Sequence, residues 1–138
     1  MELAVKATSN SSRSRDEEVD LQWLVEADFY AYLATANDRV QGIEDDSEAS
    51  LRGAITAVLL AGVSQAEIAE RIKVSRPTLS RWSKGEHMPR AIVRKAYLGE
   101  IKSYLSQLTR EVRKKLEESP RRPPDRVIAK YRLAEARV

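Results

Sequence analysis

Between Ser64 and Gly85 the chain spells two short helices, about Gln65–Ile72 and Arg76–Lys84, held apart by only Lys73-Val74-Ser75. This spacing constrains the fold more than any other feature. Ser64 stands as an N-cap before Gln65, and Glu67 follows three residues later, which makes a capping box. Ile68, Ala69 and Ile72 form an apolar face, with Ala69 small where the next helix must cross closely. Val74 plugs the corner, and Ser75 caps a second helix whose first turn holds Pro77. Leu79 and Trp82, three apart, point inward and leave Arg76, Thr78, Ser80, Arg81 and Lys84 toward solvent or a partner. Gly85 ends the helix in the left-handed position.

The rest of the sequence is helical in period as well. Residues 1–15 are rich in Ser, Thr and Asn, lack an apolar period and read as a disordered tail. From Asp16 to about Asn37 acidic residues come first, as a helix N-terminus favours. Val19, Trp23, Ala27, Tyr30 and Ala34 then recur at helical spacing, widened by Leu24, Ala31 and Leu33. After the polar loop 41–46, Ser47 caps a helix with Leu51, Ala54, Ile55, Val58 and Leu59 on its apolar face, stopping at Ala61-Gly62. Another begins near Pro89 and runs toward Glu118, with a break expected at Gly99. Its apolar residues are Ala96, Tyr97, Ile101, Tyr104, Leu105, Leu108, Val112 and Leu116. The prolines of residues 119–124 stop it, and Asp125 caps a last helix through about Ala136, with Val127, Ile128, Tyr131 and Ala134 on one side. No segment alternates with period two. The predicted fold class is all-α.

Charge divides this chain of 138 residues. Residues 1–63 carry a net −7 and residues 64–138 a net +10, which points the second half toward a polyanion such as nucleic acid. With no Cys and a single His, disulfides and zinc sites are excluded, and no cofactor is expected. The longest apolar stretch, Ala57 to Val63, is too short to span a bilayer, and the N-terminus has no signal-peptide pattern. The expected setting is therefore cytoplasmic, with no membrane partner. Carboxylates are scattered, and neither a Ser-His-Asp trio nor a Gly-rich phosphate loop occurs, so the chain does not read as an enzyme. Trp82 reads as core rather than as a stacking platform, and His87 as a solvated loop residue or a phosphate contact.

The Ser64–Gly85 pattern is that of a helix-turn-helix, whose second helix lies exposed for the major groove. It resembles the Cro and lambda-repressor class of phage and bacterial regulators through Ser64-Gln65, Ile68-Ala69, Val74-Ser75, Leu79, Trp82 and Gly85, with Pro89 beyond. The resemblance covers about residues 50–98. One departure is Ser83, where that class often has Glu. The resemblance implies that Gln65 contacts a phosphate and braces the recognition helix. It further implies that Ser75, Arg76, Pro77 and Thr78 reach bases, that Arg81 reads one a turn later, and that Lys84 holds a phosphate. Ser80 belongs to the same exposed face. Independently, the Arg fork fits the O6 and N7 acceptors of guanine, so Arg76 and Arg81 predict at least one G·C pair per site.

These readings divide the chain into the tail (1–15), an acidic helix and loop (16–46), the helix-turn-helix domain (47–98) and a basic helical region (99–138). The acidic helix holds Trp23, Phe29, Tyr30 and Tyr32 and either packs on the core or offers a dimer or partner face. Ile101, Leu105, Leu108 and Val112 suit either a two-stranded coiled coil or packing within one chain. Arg113, Lys114, Arg121, Arg122 and Arg126 are candidates for a second DNA contact, the last three near a Pro-rich arm. The expected partner is operator DNA and the expected role a repressor of phage-immunity type, acting as a monomer or a homodimer. An autorepressing antitoxin, a recombination accessory factor and a protein-interaction adaptor are the alternatives.

Overall fold

The computed structural model describes residues 20–131. They form six helices: α1 (Leu21–Gln41), α2 (Glu48–Leu60), α3 (Gln65–Ile72), α4 (Arg76–Ser83), α5 (Ala91–Glu118) and α6 (Asp125–Tyr131). No strand occurs among the described residues, so the chain is all-α as its periodicity implies. The expected tail, the start of the acidic helix, Val19 and the end of the last helix with Ala134 lie outside the described residues. None of the described helices is long and apolar enough to cross a membrane.

Side-chain caps set the starts of the first four helices. Asp20, Ser47, Ser64 and Ser75 each accept a hydrogen bond from the backbone three residues on, and Ser64 with Glu67 completes the capping box in both directions. Residues 64–75 thus start two helices eleven residues apart, with Lys73 turning the corner in the left-handed conformation (φ 63°, ψ 47°).

A single apolar core holds α1 to α5. Leu33, Leu51, Ile55, Ile68, Leu79, Ile101 and Leu105 are fully buried there, with Ile72, Trp82 and Leu98 nearly so. Burial of this kind contributes about 1.5–3 kcal/mol per large aliphatic side chain. Ile101 and Leu105 spend their apolar surface in this core, and Leu108 and Val112 pack against it, which is the within-chain use of that heptad pattern. Helix α5 acts as the spine. It packs against α1, α2 and α3, and residues 98 and 99, on either side of the sequence boundary, lie within one continuous helix.

Several local expectations are corrected. Helix α1 runs on past Asn37 to Gln41 because Ala36 and Val40 are buried and the Gln41 amide bonds the Lys102 carbonyl at 2.8 Å. Its buried line is Trp23, Ala27, Leu33, Ala36 and Val40; Tyr30 and Ala34 are only half-buried. Gly99 does not break α5. One exposed glycine costs a helix about 1 kcal/mol, and burial of the flanking Leu98 and Ile101 outweighs it. Pro89 precedes α5 rather than opening it. Arg94 fixes this entry by donating to the Pro89 and Asp46 carbonyls, each at 2.6 Å, so the helix starts at Ala91. Ala96 faces solvent, not the core.

Candidate nucleic-acid interface

Helix α4 is held from behind by two residues and from its ends by three contacts. Leu79 is fully buried, and Trp82 is 6% exposed with its ring 5.0 Å from that of Tyr97 on α5. The Trp82 indole N–H donates to the His87 carbonyl at 3.2 Å, which satisfies the one polar atom the core would otherwise strand. At the N-terminus Ser75 Oγ accepts from the Thr78 amide at 3.2 Å and donates to Thr78 Oγ1 at 2.8 Å. At the C-terminus Gly85 takes φ 78°, and the Gly85 and Glu86 amides close onto the Trp82 and Arg81 carbonyls at 2.9 and 2.8 Å.

The third contact is one that sequence reasoning missed. Arg52 of α2 donates from Nε to the Ser83 carbonyl at 3.2 Å, and its guanidinium lies against Gly85, where a Cβ would meet Nη1 at 3.3 Å. A glycine is favoured there for its backbone angle, and a side chain would also press on the Arg52 guanidinium. The residues are 31 apart in sequence, so nothing local signals the pairing. Ser83, the departure from the resembled pattern, turns its hydroxyl back to the Ser80 carbonyl at 2.7 Å and leaves its own carbonyl to Arg52.

With its inner face fixed, α4 leaves Arg76, Pro77, Arg81 and the capping Lys84 exposed, with Ser75 exposed beside them and Thr78 and Ser80 half-buried. The helix contains no acidic residue, and among the described residues no carboxylate lies within ion-pair distance of Arg76, Arg81 or Lys84. Gln65 is half-buried at the first position of α3, beside the Ser64–Glu67 capping box. These exposed cations, without a carboxylate in ion-pair reach, form a surface suited to phosphate and base-edge acceptors.

Helix α3 is braced from α5. Arg71 donates to Gln107 Oε1 at 2.7 Å and stacks its guanidinium 5.2 Å from the Tyr104 ring centre. Burial pushes the Tyr104 phenol above its ordinary pKa, Glu67 and Glu111 push it the same way, and Arg71 opposes them.

The second set of candidate cations lies elsewhere. Trp23 and Ala27 of α1 meet Leu116 near the far end of α5, and the Trp23 indole donates to the Leu116 carbonyl at 3.3 Å. Around this junction Arg113 pairs with Glu117 at 3.2 Å, Arg122 with Asp125 at 2.7 Å, and Arg121 with Asp20 at 3.8 Å and with the Gln22 amide oxygen. Tyr97 and Leu116 are about 29 Å apart along α5 at 1.5 Å per residue, so these arginines gather at the opposite end of the spine from Trp82. Lys114 and Arg126 are exposed in the same region.

Residues 57–93 match the family model described as a helix-turn-helix. The span takes in the end of α2, all of α3 and α4 and the first turn of α5; α1, most of α5 and α6 lie outside it. The match marks this segment as a helix-turn-helix of the DNA-binding transcription-regulator kind. No curated protein and no solved structure matches the chain.

Proposed function

We propose that this protein is a non-enzymatic, sequence-specific regulator that binds double-stranded operator DNA and represses by occupancy, in the manner of a phage repressor. The observation that carries this reading is the outer face of α4: Arg76, Arg81 and Lys84 stand exposed and unpaired on a helix whose inner face is locked by Leu79 and Trp82. Helix α4 enters the major groove with its N-terminal residues toward the bases. Arg76 reads guanine, Pro77 packs on a thymine methyl, and Ser75, Thr78, Ser80 and Arg81 complete the read face. Gln65 and Lys84 hold phosphates and fix the register. The repressor role follows the resemblance of Ser64–Gly85 to the phage class, and occupancy needs no ligand pocket.

The basic arm is assigned a lesser part. Arg113, Arg121 and Arg122 already pair with carboxylates, exposed contacts worth at most about 1 kcal/mol each that DNA would have to replace. The test is selection of bound duplexes from a random-sequence library. A shared consensus containing at least one G·C pair, whose preference at one position relaxes in Arg76→Ala, is the expected result. Recovery of no consensus overturns operator binding and leaves a protein-interaction adaptor.

A further inference from the structure

A groove of about 840 Å³ runs over the solvent side of α2, within the roughly 300–1,000 Å³ of small-molecule sites. Its α2 wall extends from Glu48 to Leu60, about 18 Å at 1.5 Å per residue. Ile43, Ala57 and Leu60 give it an apolar lining, and Leu60 is 78% exposed. Past Arg39 and Leu60 a smaller hollow of about 150 Å³ continues toward Tyr32. Contiguous exposed apolar surface of this kind marks a binding surface.

Gly53 stands in this wall, in the middle of α2. A Cβ there would meet nothing within 4 Å, and Gly53 is not among the glycines with positive φ. Neither a close neighbour in the chain nor a left-handed angle calls for glycine at this position. Glycine weakens a helix interior, and one use that offsets this is the close approach of a ligand to the backbone.

Charge selects the ligand. Asp45 and Glu48 at the edge of the groove are already engaged: Asp45 accepts from the Ser47 and Ser50 hydroxyls, and Glu48 lies 4.0 Å from Arg94. Among the described residues no carboxylate lies within ion-pair distance of the other two charged lining residues, Arg39 and Arg52. Arg52 commits Nε to the Ser83 carbonyl and keeps its Nη groups for a further acceptor. We propose that the groove binds a small organic acid with an apolar body, its carboxylate drawn to Arg39 and Arg52 and its body lying over Ile43, Ala57 and Leu60. The site adjoins the end of α4, because Gly85 lines the groove and Arg52 holds the Ser83 carbonyl. A carboxylate on Arg52 sets negative charge beside Lys84, which holds a phosphate in the proposed operator complex. Occupancy of the groove therefore opposes DNA binding, a consequence that rests on the operator-binding reading.

The experiment is calorimetric titration of octanoate into the full chain without DNA, with octanol and octylammonium as neutral and cationic probes. The expected result is saturable one-to-one binding of octanoate below about 5 mM, with both other probes weaker by about tenfold or more. Gly53→Leu fills the groove and is expected to abolish binding while raising the melting temperature, since leucine is the better helix former. Arg39→Gln is expected to weaken octanoate about tenfold with circular dichroism unchanged. With duplexes from the selection, saturating octanoate should lower DNA affinity by about fivefold or more in the unaltered chain and leave it unchanged in Gly53→Leu. No saturation, equal binding of octanol, tighter binding of octylammonium, or undiminished binding in Gly53→Leu overturns the site. Self-association in sedimentation velocity that Gly53→Leu abolishes and octanoate does not disturb assigns the groove to a second copy and overturns it as well. Unchanged DNA affinity at saturating octanoate overturns the coupling. The titration contains no DNA, so its failure leaves operator binding standing, and failure of the duplex selection leaves the titration standing.

Discussion

Cations gather near both ends of α5, but they are held differently. Near Tyr97, Arg76, Arg81 and Lys84 project from α4 with no carboxylate of the described residues within ion-pair distance; near Leu116, Arg113, Arg121 and Arg122 are each tied to a carboxylate or an amide. Each end is anchored by one tryptophan whose indole N–H donates to a main-chain carbonyl, His87 at one and Leu116 at the other. The lesson is about availability. An arginine already paired must exchange that contact for a phosphate, at a cost of at most about 1 kcal/mol for exposed pairs, so its neighbours as well as its charge set its worth to a polyanion.

The comparison breaks most visibly at its anchors. Trp82→Ala is expected to destabilise the fold by about 3–5 kcal/mol, the usual loss for a buried tryptophan, and to abolish DNA binding; thermal unfolding and a binding titration check both. Trp23→Ala removes the matching anchor from a much smaller cluster. Its expected cost is near 3 kcal/mol, with affinity for DNA at 25 °C preserved within about twofold. Equal loss of binding in the two variants would erase the distinction between the ends.

Smaller changes sharpen the contrast. Arg76→Ala should lose about 1–3 kcal/mol of discrimination at one base pair, read from competition between selected and mutated duplexes. Lys84→Ala should lower affinity for every sequence and reduce the slope of log K against log salt by about 1. Arg121→Ala should leave that slope unchanged, because its guanidinium is already committed to Asp20 and Gln22. The smallest effect concerns Asp45, whose carboxyl is held below its ordinary pKa chiefly by the Ser50 hydroxyl. The stability it contributes is present above the ordinary value and lost as pH falls through the lowered one. Ser50→Ala should move the Asp45 titration upward in carboxyl NMR spectra.

Much of this molecule was legible before any coordinates. The caps Ser47, Ser64 and Ser75 and the start and end of α3 fall where the sequence puts them, because capping is local and a serine hydroxyl satisfies an amide three residues away in any context. The inward pair Leu79 and Trp82 follows from spacing alone. Where helices meet others, local signals failed. Helix α1 outran its expected end, and α5 ignored Gly99, since burial of Val40, Leu98 and Ile101 outweighs the few tenths to one kcal/mol that propensity carries.

What the sequence determined by itself is the all-α class, the two capped short helices and the identity of the side chains that α4 presents, all consequences of period and capping within a few residues. What only the tertiary structure decided is which arginines elsewhere in the chain are already held by distant partners. Arg52 reaches Ser83 across 31 residues, Arg71 reaches Gln107 across 36, and Arg121 reaches Gln22 across 99. A charge's partners are set by distance in space, and through-space distances at such separations depend on how the helices pack.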